Sequence, residues 1–300
     1  MIKNKANVFE TVLYTKKEGD YGIYELEQDQ FIRCKHLVQQ ERHLDVQAII
    51  EGNNPGRVFV DHVDLPQSGL VWFGNLDGFV FIGNPNNESF NCEIKQFLNE
   101  EIAQEAIELG VHWFEGFGHG TNWDDTIKKI LSGYSYEEFN QKVYKLYENQ
   151  YQIQNEPKMD EGYTLLEITE ENVITNRLYD NSFFVAQLSL FWSSMEAFFE
   201  KGIGYAVMYK NEVVSICFSG FVSGNTHAVA IETVEEHRGK KLAQKVAHVY
   251  VQDCFTNGYT PYWDCMEGNI PSIAIAESLG FVNMFNYIVY DYQFLSKGRE

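Results

Sequence analysis

The chain has 300 residues, 44% hydrophobic and 15% aromatic, which is enough apolar surface for two domains with packed cores. Its net charge of −20 disfavours nucleic acid and anionic membranes as partners and favours a cationic small molecule, although the acidity is also explained by solubility alone. The five cysteines fit neither a disulfide framework nor a zinc site, and the lack of an apolar leader or spanning segment predicts a cytoplasmic protein without a metal.

The first half of the chain predicts an α+β domain over 1–158. Turn residues between apolar runs predict strands, and apolar positions at helical spacing predict helices. The polar stretch 151–169, with Pro157 and Gly162, places the domain boundary near residue 158. The predicted elements are a helix over 33–52, strands over 56–64, 68–75 and 77–84, a helix over 92–110, a strand over 111–118, and helices over 121–131 and 134–150.

The second half predicts another α+β domain over 159–300. Lys210-Asn211 and Gly224-Asn225 stand where the hairpin turns of a three-stranded meander would lie. Glycines follow the longest helical patterns and are expected to end those helices. The predicted elements are helices over 171–181 and 184–202, the meander over 204–234, a helix over 238–258, a strand over 261–268, a helix over 269–280 and a strand over 281–294.

The stretch EEHRGKKLAQKV, residues 235–246, follows the meander directly and predicts a turn that opens a helix. Backbone N–H groups in such a turn favour a phosphate. The turn has one glycine, Gly239, and Lys241 stands where a second glycine is expected. If the Lys241 side chain points outward, helical φ/ψ suits lysine better than glycine, and its ammonium attracts the anion. The alternative is an ordinary helix start with solvated lysines.

The order of these elements resembles the GCN5-related N-acetyltransferases (GNAT), and within them the branch of the zwittermicin-resistance acetyltransferases. The resemblance covers residues 165–294 and implies a GNAT fold there, with a mixed, mostly antiparallel sheet flanked by helices after a smaller α/β domain. Whether that first domain is a degenerate GNAT-like half without the cofactor motif stays open. The stretches that carry the resemblance are AIETVEEHRGKKLA (230–243), WDC (263–265), Asn269-x-x-Ser272 and AESLGF (276–281).

The resemblance implies acetyl-CoA as the acyl donor. Its pantetheine arm would pair with the strand Glu232, Thr233 and Val234, while Asn269 and Ser272 would contact the other side of the arm. Its pyrophosphate would meet the backbone of Arg238, Gly239, Lys240, Lys241, Leu242 and Ala243.

The family's usual general acid is missing here. A tyrosine often stands seven residues after the asparagine, where this chain has Ala276. A thiol of pKa about 8.5 leaves without obligatory protonation, so this loss is expected to slow turnover and not to abolish it. A backbone N–H near Val234 is expected to hold the oxyanion. Ser272 either assists the thiol or caps its helix.

Three further side chains have competing interpretations. Glu232 is the first candidate for the general base, although an exposed strand carboxylate, or one that holds a cationic substrate, is an equal alternative. Cys265 is expected to be a buried strand thiol, since no motif places a histidine beside it. His237 is expected to be a solvated turn residue.

Together these features predict an N-acetyltransferase that transfers acetyl to a primary amine by direct attack in a ternary complex. The negative charge favours a small cationic acceptor such as an amino sugar, a polyamine or an amine-bearing antibiotic. One alternative is a non-catalytic acyl-CoA-binding sensor, which Ala276 supports. Aminoacyl transfer from tRNA is another, which the charge of −20 disfavours. The oligomeric state is open between monomer and homodimer.

Overall fold

The structure is a computed structural model that describes residues 21–39, 42–74 and 76–294. Its elements in chain order are β1 (Tyr24–Glu25), α1 (Leu44–Ile50), β2 (Arg57–Val60), β3 (Ser68–Trp72), β4 (Gly78–Gly83), α2 (Glu88–Phe97), α3 (Ala103–Glu108), β5 (Trp113–Gly118), α4 (Asp124–Ile130), β6 (Glu137–Lys145), β7 (Tyr163–Glu167), α5 (Glu170–Thr175), α6 (Ser182–Phe191), α7 (Met195–Lys201), β8 (Gly204–Tyr209), β9 (Glu212–Ser223), β10 (Thr226–Thr233), α8 (Leu242–Thr256), β11 (Thr260–Met266), α9 (Ile270–Leu279) and β12 (Val282–Gln293). Within the described ranges, no helix is both long enough and apolar enough to span a bilayer.

Packing divides the described residues into two compact units. The first unit holds the residues up to Lys142 together with 266–268 and 286–294, and the second holds 143–265 and 269–285. The boundary near residue 158 concerns domains that fold independently, so it stays a prediction. The compact units instead divide between residues 142 and 143.

The first unit contains a mixed sheet in the order β1-β2-β3-β4-β5-β12. Neighbouring strands are antiparallel except β4 and β5, which are parallel and are connected through α2 and α3. Aromatic side chains fill its core, where Phe79 stacks on both Trp72 and Phe114. The strands predicted over 56–118 are thereby confirmed, because their apolar runs are buried in this core.

Two of the helices predicted in the first half are each divided into shorter helical segments. The helix predicted over 33–52 is a 3₁₀ helix at Gln28–Leu37 followed by α1, with His43 between them in the left-handed region at φ 45°. Gln40 and Glu41 lie outside the described residues. The helix predicted over 92–110 is confirmed as α2 and α3, joined by a π-helical turn, and Gly110 ends it at φ 80°.

The helix predicted over 134–150 is wrong, because the chain forms strand β6 there. Tyr136, Phe139 and Val143 recur at three- and four-residue intervals, which imitates a helical face. However, aromatic and β-branched residues also favour strands. Val143 and Tyr144 are consecutive and both buried, which a strand covered on both faces allows.

The second unit is built on a sheet of order β11-β10-β9-β8-β7. The predicted meander is confirmed as β8, β9 and β10. Lys210 and Asn211 both have positive φ, as a two-residue type I′ hairpin requires. The crossover helix α8 connects β10 to β11, which are parallel, and packs its apolar face on the sheet.

The helix predicted over 184–202 is interrupted and forms α6 and α7. Ser194 starts the second helix, since its Oγ accepts a hydrogen bond from the Ala197 N–H at 3.1 Å. Trp192 lies at the break, where its buried Nε1–H donates to the Ser219 carbonyl at 2.8 Å. This buried indole hydrogen bond fixes the chain in an extended conformation between the two helices.

The segment before β7 packs on helix α8. The Tyr151 hydroxyl bonds to Nδ1 of His248 at 2.8 Å and accepts from Gln252 at 3.0 Å. Glu156 forms an ion pair with Lys245 and also accepts from Gln252. Much of the stretch 151–169, which marked the predicted domain boundary, therefore packs on α8 of the second unit.

Gly280 ends α9 at φ 99°, and a Cβ at this position would lie 2.1 Å from the Gln150 carbonyl oxygen. We expect Gly280→Ala to destabilise the protein by about 1–3 kcal/mol more than the matched variant Gly224→Ala, because overpacking adds to the left-handed strain. Gly224 also has positive φ, but a Cβ there would meet nothing within 4 Å. Urea unfolding measures both, and equal costs would contradict the close approach.

Candidate active site

A cleft of about 670 Å³ lies between the end of β10 and the start of α9 in the second unit. The residues that connect β10 to α8 close one end of it. Side chains from the first turns of α8 and α9 line the remaining walls. The cleft therefore brings together four segments that are separated by up to forty-four positions in the sequence, Ile231 to Ile275.

The cleft exists because β10 and β11 separate. Their parallel pairing is limited to Thr226↔Thr260, His227↔Pro261 and Ala228↔Tyr262, and a register shift interrupts the β9–β10 ladder between His227 and Val229. Beyond it, β10 stays paired with β9 as far as Thr233. A bulge bends a strand and increases its twist, so the far half of β10 turns away from β11.

The separated half of β10 directs backbone groups into the cleft. The Thr233 N–H donates to Oε1 of Glu232, and the Thr233 carbonyl accepts from Arg238. Since an antiparallel strand alternates its hydrogen-bonding direction, the N–H of Ile231 points to the same side as that of Thr233. The Val234 N–H instead donates to the Val214 carbonyl at 2.9 Å. The expected oxyanion donor at Val234 is thus occupied by the sheet.

The turn before α8 has positive φ at two positions, Gly239 at 77° and Lys241 at 60°. A Cβ on Gly239 would meet nothing within 4 Å, so glycine serves the backbone conformation at this position and not a close approach. Lys241 is the N-cap residue of α8 and makes no side-chain cap. The first N–H groups of α8 are consequently left to other acceptors, in an arrangement of turn and helix start that suits an anion.

The expected helical conformation of Lys241 is wrong. Lys241 has φ 60° and ψ 20°, the left-handed conformation that glycine adopts without strain. The helix starts only at Leu242, because the preceding turn must reverse the chain out of β10. Lysine therefore occupies a position that suits glycine, and its exposed side chain is held there against a backbone preference.

Arg238 closes the turn onto β10. Its Nε donates to the Thr233 carbonyl at 3.0 Å, and its Nη2 pairs with Oε1 of Glu232 at 3.1 Å. Both hydrogen bonds to the Glu232 carboxylate, from Arg238 and from the Thr233 N–H, reach the same oxygen. This geometry gives Glu232 a structural task in the turn while Oε2 takes part in neither bond.

The opposite wall carries Asn269 and Ser272. Asn269 caps α9, since its Oδ1 accepts from the Ser272 N–H at 3.2 Å. The Ser272 hydroxyl accepts from Nε1–H of the buried Trp263 at 2.9 Å. Because that bond uses an acceptor site of Oγ, the hydroxyl hydrogen remains to be donated elsewhere.

The structure thus brings most of the predicted residues to one cleft. Val234 and Lys240 do not line it. Ala276 is fully buried in the core of the second unit, so that helix position is not a wall of the cleft. Cys265 is also buried there, in agreement with the expected strand thiol. The residues that contribute to the cleft or turn as predicted are Glu232, Thr233, Arg238, Gly239, Lys241, Leu242, Ala243, Asn269 and Ser272.

Sequence reasoning missed two connections of this cleft. His237 lines the cleft and bonds to the Tyr163 hydroxyl at 2.9 Å, so it is not simply a solvated turn residue. Trp263 orients Ser272. The W-D-C motif identified the strand that carries Trp263, but nothing in the spacing indicated its hydrogen bond. No sequence pattern indicated a role for Tyr163, because its partner His237 is 74 residues away.

The backbone conformation of Lys241 has a direct test. We expect Lys241→Gly to be more stable than Lys241→Ala by about 1 kcal/mol, because alanine, unlike glycine, is strained in the left-handed region. In a helix interior the order is reversed, with alanine favoured by about 1 kcal/mol. Urea unfolding of the two variants gives the sign of the difference, and a more stable alanine variant would restore the helical assignment.

Comparison with known proteins places this fold in one family. The family model described as GNAT acetyltransferase matches residues 35–290. The Bacillus subtilis (strain 168) protein named "Uncharacterized N-acetyltransferase YdfB" is 31% identical over 247 residues, which cover 82% of this chain and 88% of that protein.

Solved structures share the fold at low sequence identity. A GCN5-related N-acetyltransferase-like protein from Streptococcus suis 89/1591 has a TM-score of 0.65 at 19% identity, covering 87% of this chain and 98% of the other. A tandem GNAT protein from the clavulanic acid biosynthesis pathway has a TM-score of 0.58 at 10% identity, covering 92% and 100%. The family match extends over most of the chain. This chain therefore belongs to the GNAT acetyltransferase family, and it is an N-acetyltransferase.

Proposed function

We propose that the cleft binds acetyl-CoA and that the enzyme transfers the acetyl group to a primary amine of a small cationic acceptor by direct attack. The observation that carries this proposal is the continuity of the cleft. One cavity connects the separated edge of β10, the glycine turn and the start of α9. An elongated donor with a phosphate-bearing end needs this combination of a backbone edge and an anion-binding turn.

The residues of the cleft fit the donor. The backbone of residues 238–243, with its positive-φ turn and uncapped helix start, would hold the pyrophosphate. The strand edge at 231–233 would pair with the amides of the pantetheine arm. Asn269 and Ser272 face that edge from α9. The GNAT family supports acetyl-CoA as donor, and the finer assignment to these residues is our proposal.

Acetyl-CoA supplies an activated thioester, so that a C–N bond replaces the C–S bond while the amine loses a proton and the sulfur gains one. Ser272 is proposed to donate its hydroxyl hydrogen to the departing sulfur, because Trp263 already occupies an acceptor site of its Oγ. The N–H of Ile231 is the candidate to stabilise the oxyanion, because the N–H of Thr233 already donates to Glu232. Oε2 of Glu232 is the candidate acceptor for the amine proton.

The net charge supports the proposed acceptor class. At −20 the protein attracts cations from solution, and an amine in its protonated form carries such a charge. Amino sugars, polyamines and amine-bearing antibiotics belong to this class. The alternative of an acyl-CoA-binding sensor predicts donor binding without turnover on any of them.

Gly239→Asp tests the turn. We expect the variant to bind acetyl-CoA about 10-fold or more weakly in calorimetric titration, because a carboxylate next to the proposed phosphate site repels it. Gly224→Asp is the matched control, since it also has positive φ with open space around its Cβ but lies in the β9–β10 hairpin. Equal loss in both variants, or no binding by the wild type, would reject the cleft as the donor site.

Ser272→Ala tests the proton transfer. We expect kcat to fall about 100-fold, the lower end of a typical general-acid contribution, with the Kd for acetyl-CoA almost unchanged. Trp263→Phe keeps a smaller aromatic ring in the core and removes the N–H, so its kcat should fall less. Steady-state kinetics with thiol release, run on a panel of primary amines, gives both values. A change in Kd with unchanged kcat would assign Ser272 to binding alone.

A further inference from the structure

A cluster of aromatic and basic side chains borders the cleft at His237, and the transfer chemistry does not use it. We call it the rim cluster, and it consists of Tyr163, Tyr209, His237 and Lys240. Tyr163 and Tyr209 face each other on β7 and β8, with ring centroids 4.9 Å apart. His237 approaches both rings, at 5.7 Å from Tyr163 and 5.1 Å from Tyr209. The cluster joins strand β7 at the edge of the sheet to the turn before α8.

A chain of hydrogen bonds fixes the polar groups of the rim cluster. Lys240 Nζ donates to the Tyr163 hydroxyl at 2.9 Å and lies 5.6 Å from the centre of its ring. The same hydroxyl is 2.9 Å from Nδ1 of His237. Lysine can only donate, so the tyrosine hydrogen is available for Nδ1, which leaves the Nε2–H of His237 as a donor. His237 also lines the cleft.

The basic side chains around the turn differ in whether a carboxylate pairs with them. Five basic side chains lie within residues 237–245 of a chain with net charge −20. Arg238 is paired with Glu232, and Lys245 with Glu156. Among the described residues, no carboxylate oxygen lies within 4.0 Å of Lys240 Nζ. The ammonium of Lys240 is thus positioned by a neutral hydrogen-bond partner, and the Asp160 carboxylate acts on it only from beyond ion-pair distance.

The Lys240 ammonium is not part of the site proposed for the pyrophosphate. The pyrophosphate site is made of backbone N–H groups in the turn and in α8, whereas Lys240 does not line the cleft. Its side chain is directed to Tyr163 on β7. An anion held by Lys240 and by the Nε2–H of His237 would therefore be a second phosphate group at the border of the cleft. A compact ammonium with few other contacts suits a doubly charged phosphate monoester.

We propose that the rim cluster recognises the ribose 3′-phosphate of coenzyme A, so that the enzyme discriminates coenzyme A from its dephosphorylated form. This inference rests on the proposed function, since it assumes that the donor lies in the cleft. Lys240 makes the ionic contact, His237 adds a hydrogen bond, and Tyr163 positions both. The strand β7 thereby contributes to donor selection although it carries no residue of the glycine turn.

The test compares the Kd values of coenzyme A and 3′-dephospho-coenzyme A by calorimetric titration of the full chain. For the wild type we expect the dephosphorylated form to bind about 10-fold more weakly, the size expected for a hydrogen bond to a charged group. Lys240→Gln should reduce this ratio to about twofold or less. Tyr163→Phe keeps the ring and removes the hydroxyl, so the ratio should fall to an intermediate value.

Lys201→Gln is the control for general electrostatics. It removes the same charge from the end of α7, and the ratio should stay at its wild-type value. Equal affinity of both ligands for the wild type would overturn the inference while the proposed function stands. A Lys240→Gln variant that weakens both ligands equally would assign the lysine to the pyrophosphate and also overturn it. If neither ligand binds the wild type, the proposed function itself fails.

Discussion

The separation of β10 from β11 is the constraint on which the site depends. Parallel strands that stayed paired would satisfy each other's backbone groups and leave no cleft between them. Because pairing stops at Ala228↔Tyr262, the last residues of β10 have no strand partner on the side of β11. A free edge is usually a liability for a protein. In this unit it is bordered by α9 and by the turn into α8, so only an extended ligand of limited width can reach it.

The two units share a strand topology but differ at the start of the crossover helix. Both contain an antiparallel meander, a helical crossover and a parallel strand, β2-β3-β4 to β5 and β8-β9-β10 to β11. In the first unit, Asn87 caps the crossover helix by accepting from the Phe90 N–H. In the second, Lys241 offers no such cap. The same helix start is therefore capped by a side chain in one unit and uncapped in the other, which fits a GNAT-like first half without the cofactor motif.

Much of the second unit could be predicted from sequence, because its signals are local. Asn211 in the β8–β9 hairpin and Gly280 at the end of α9 are residue types that tolerate positive φ, so the turns at these positions could be predicted from residue type. The helix predicted over 134–150 failed because aromatic spacing fits two periods, and only tertiary packing decides between them. The prediction for Lys241 was wrong because lysine rarely adopts the left-handed conformation that it has here. Contacts such as those of Tyr163 and Trp263 join distant segments and leave no local pattern.

The packing of residues 148–156 on α8 bears on how this protein can be divided. A fragment that starts at residue 159 would lose Tyr151 and Glu156, which bond to His248, Gln252 and Lys245 along one side of that helix. It would also lose Tyr144 and Leu146 from the core of the second unit. The helix whose first turn faces the cleft would then present an uncovered flank to water. Shortened versions made for crystallisation or for separate assay of the second unit should accordingly retain the chain from residue 143 onward.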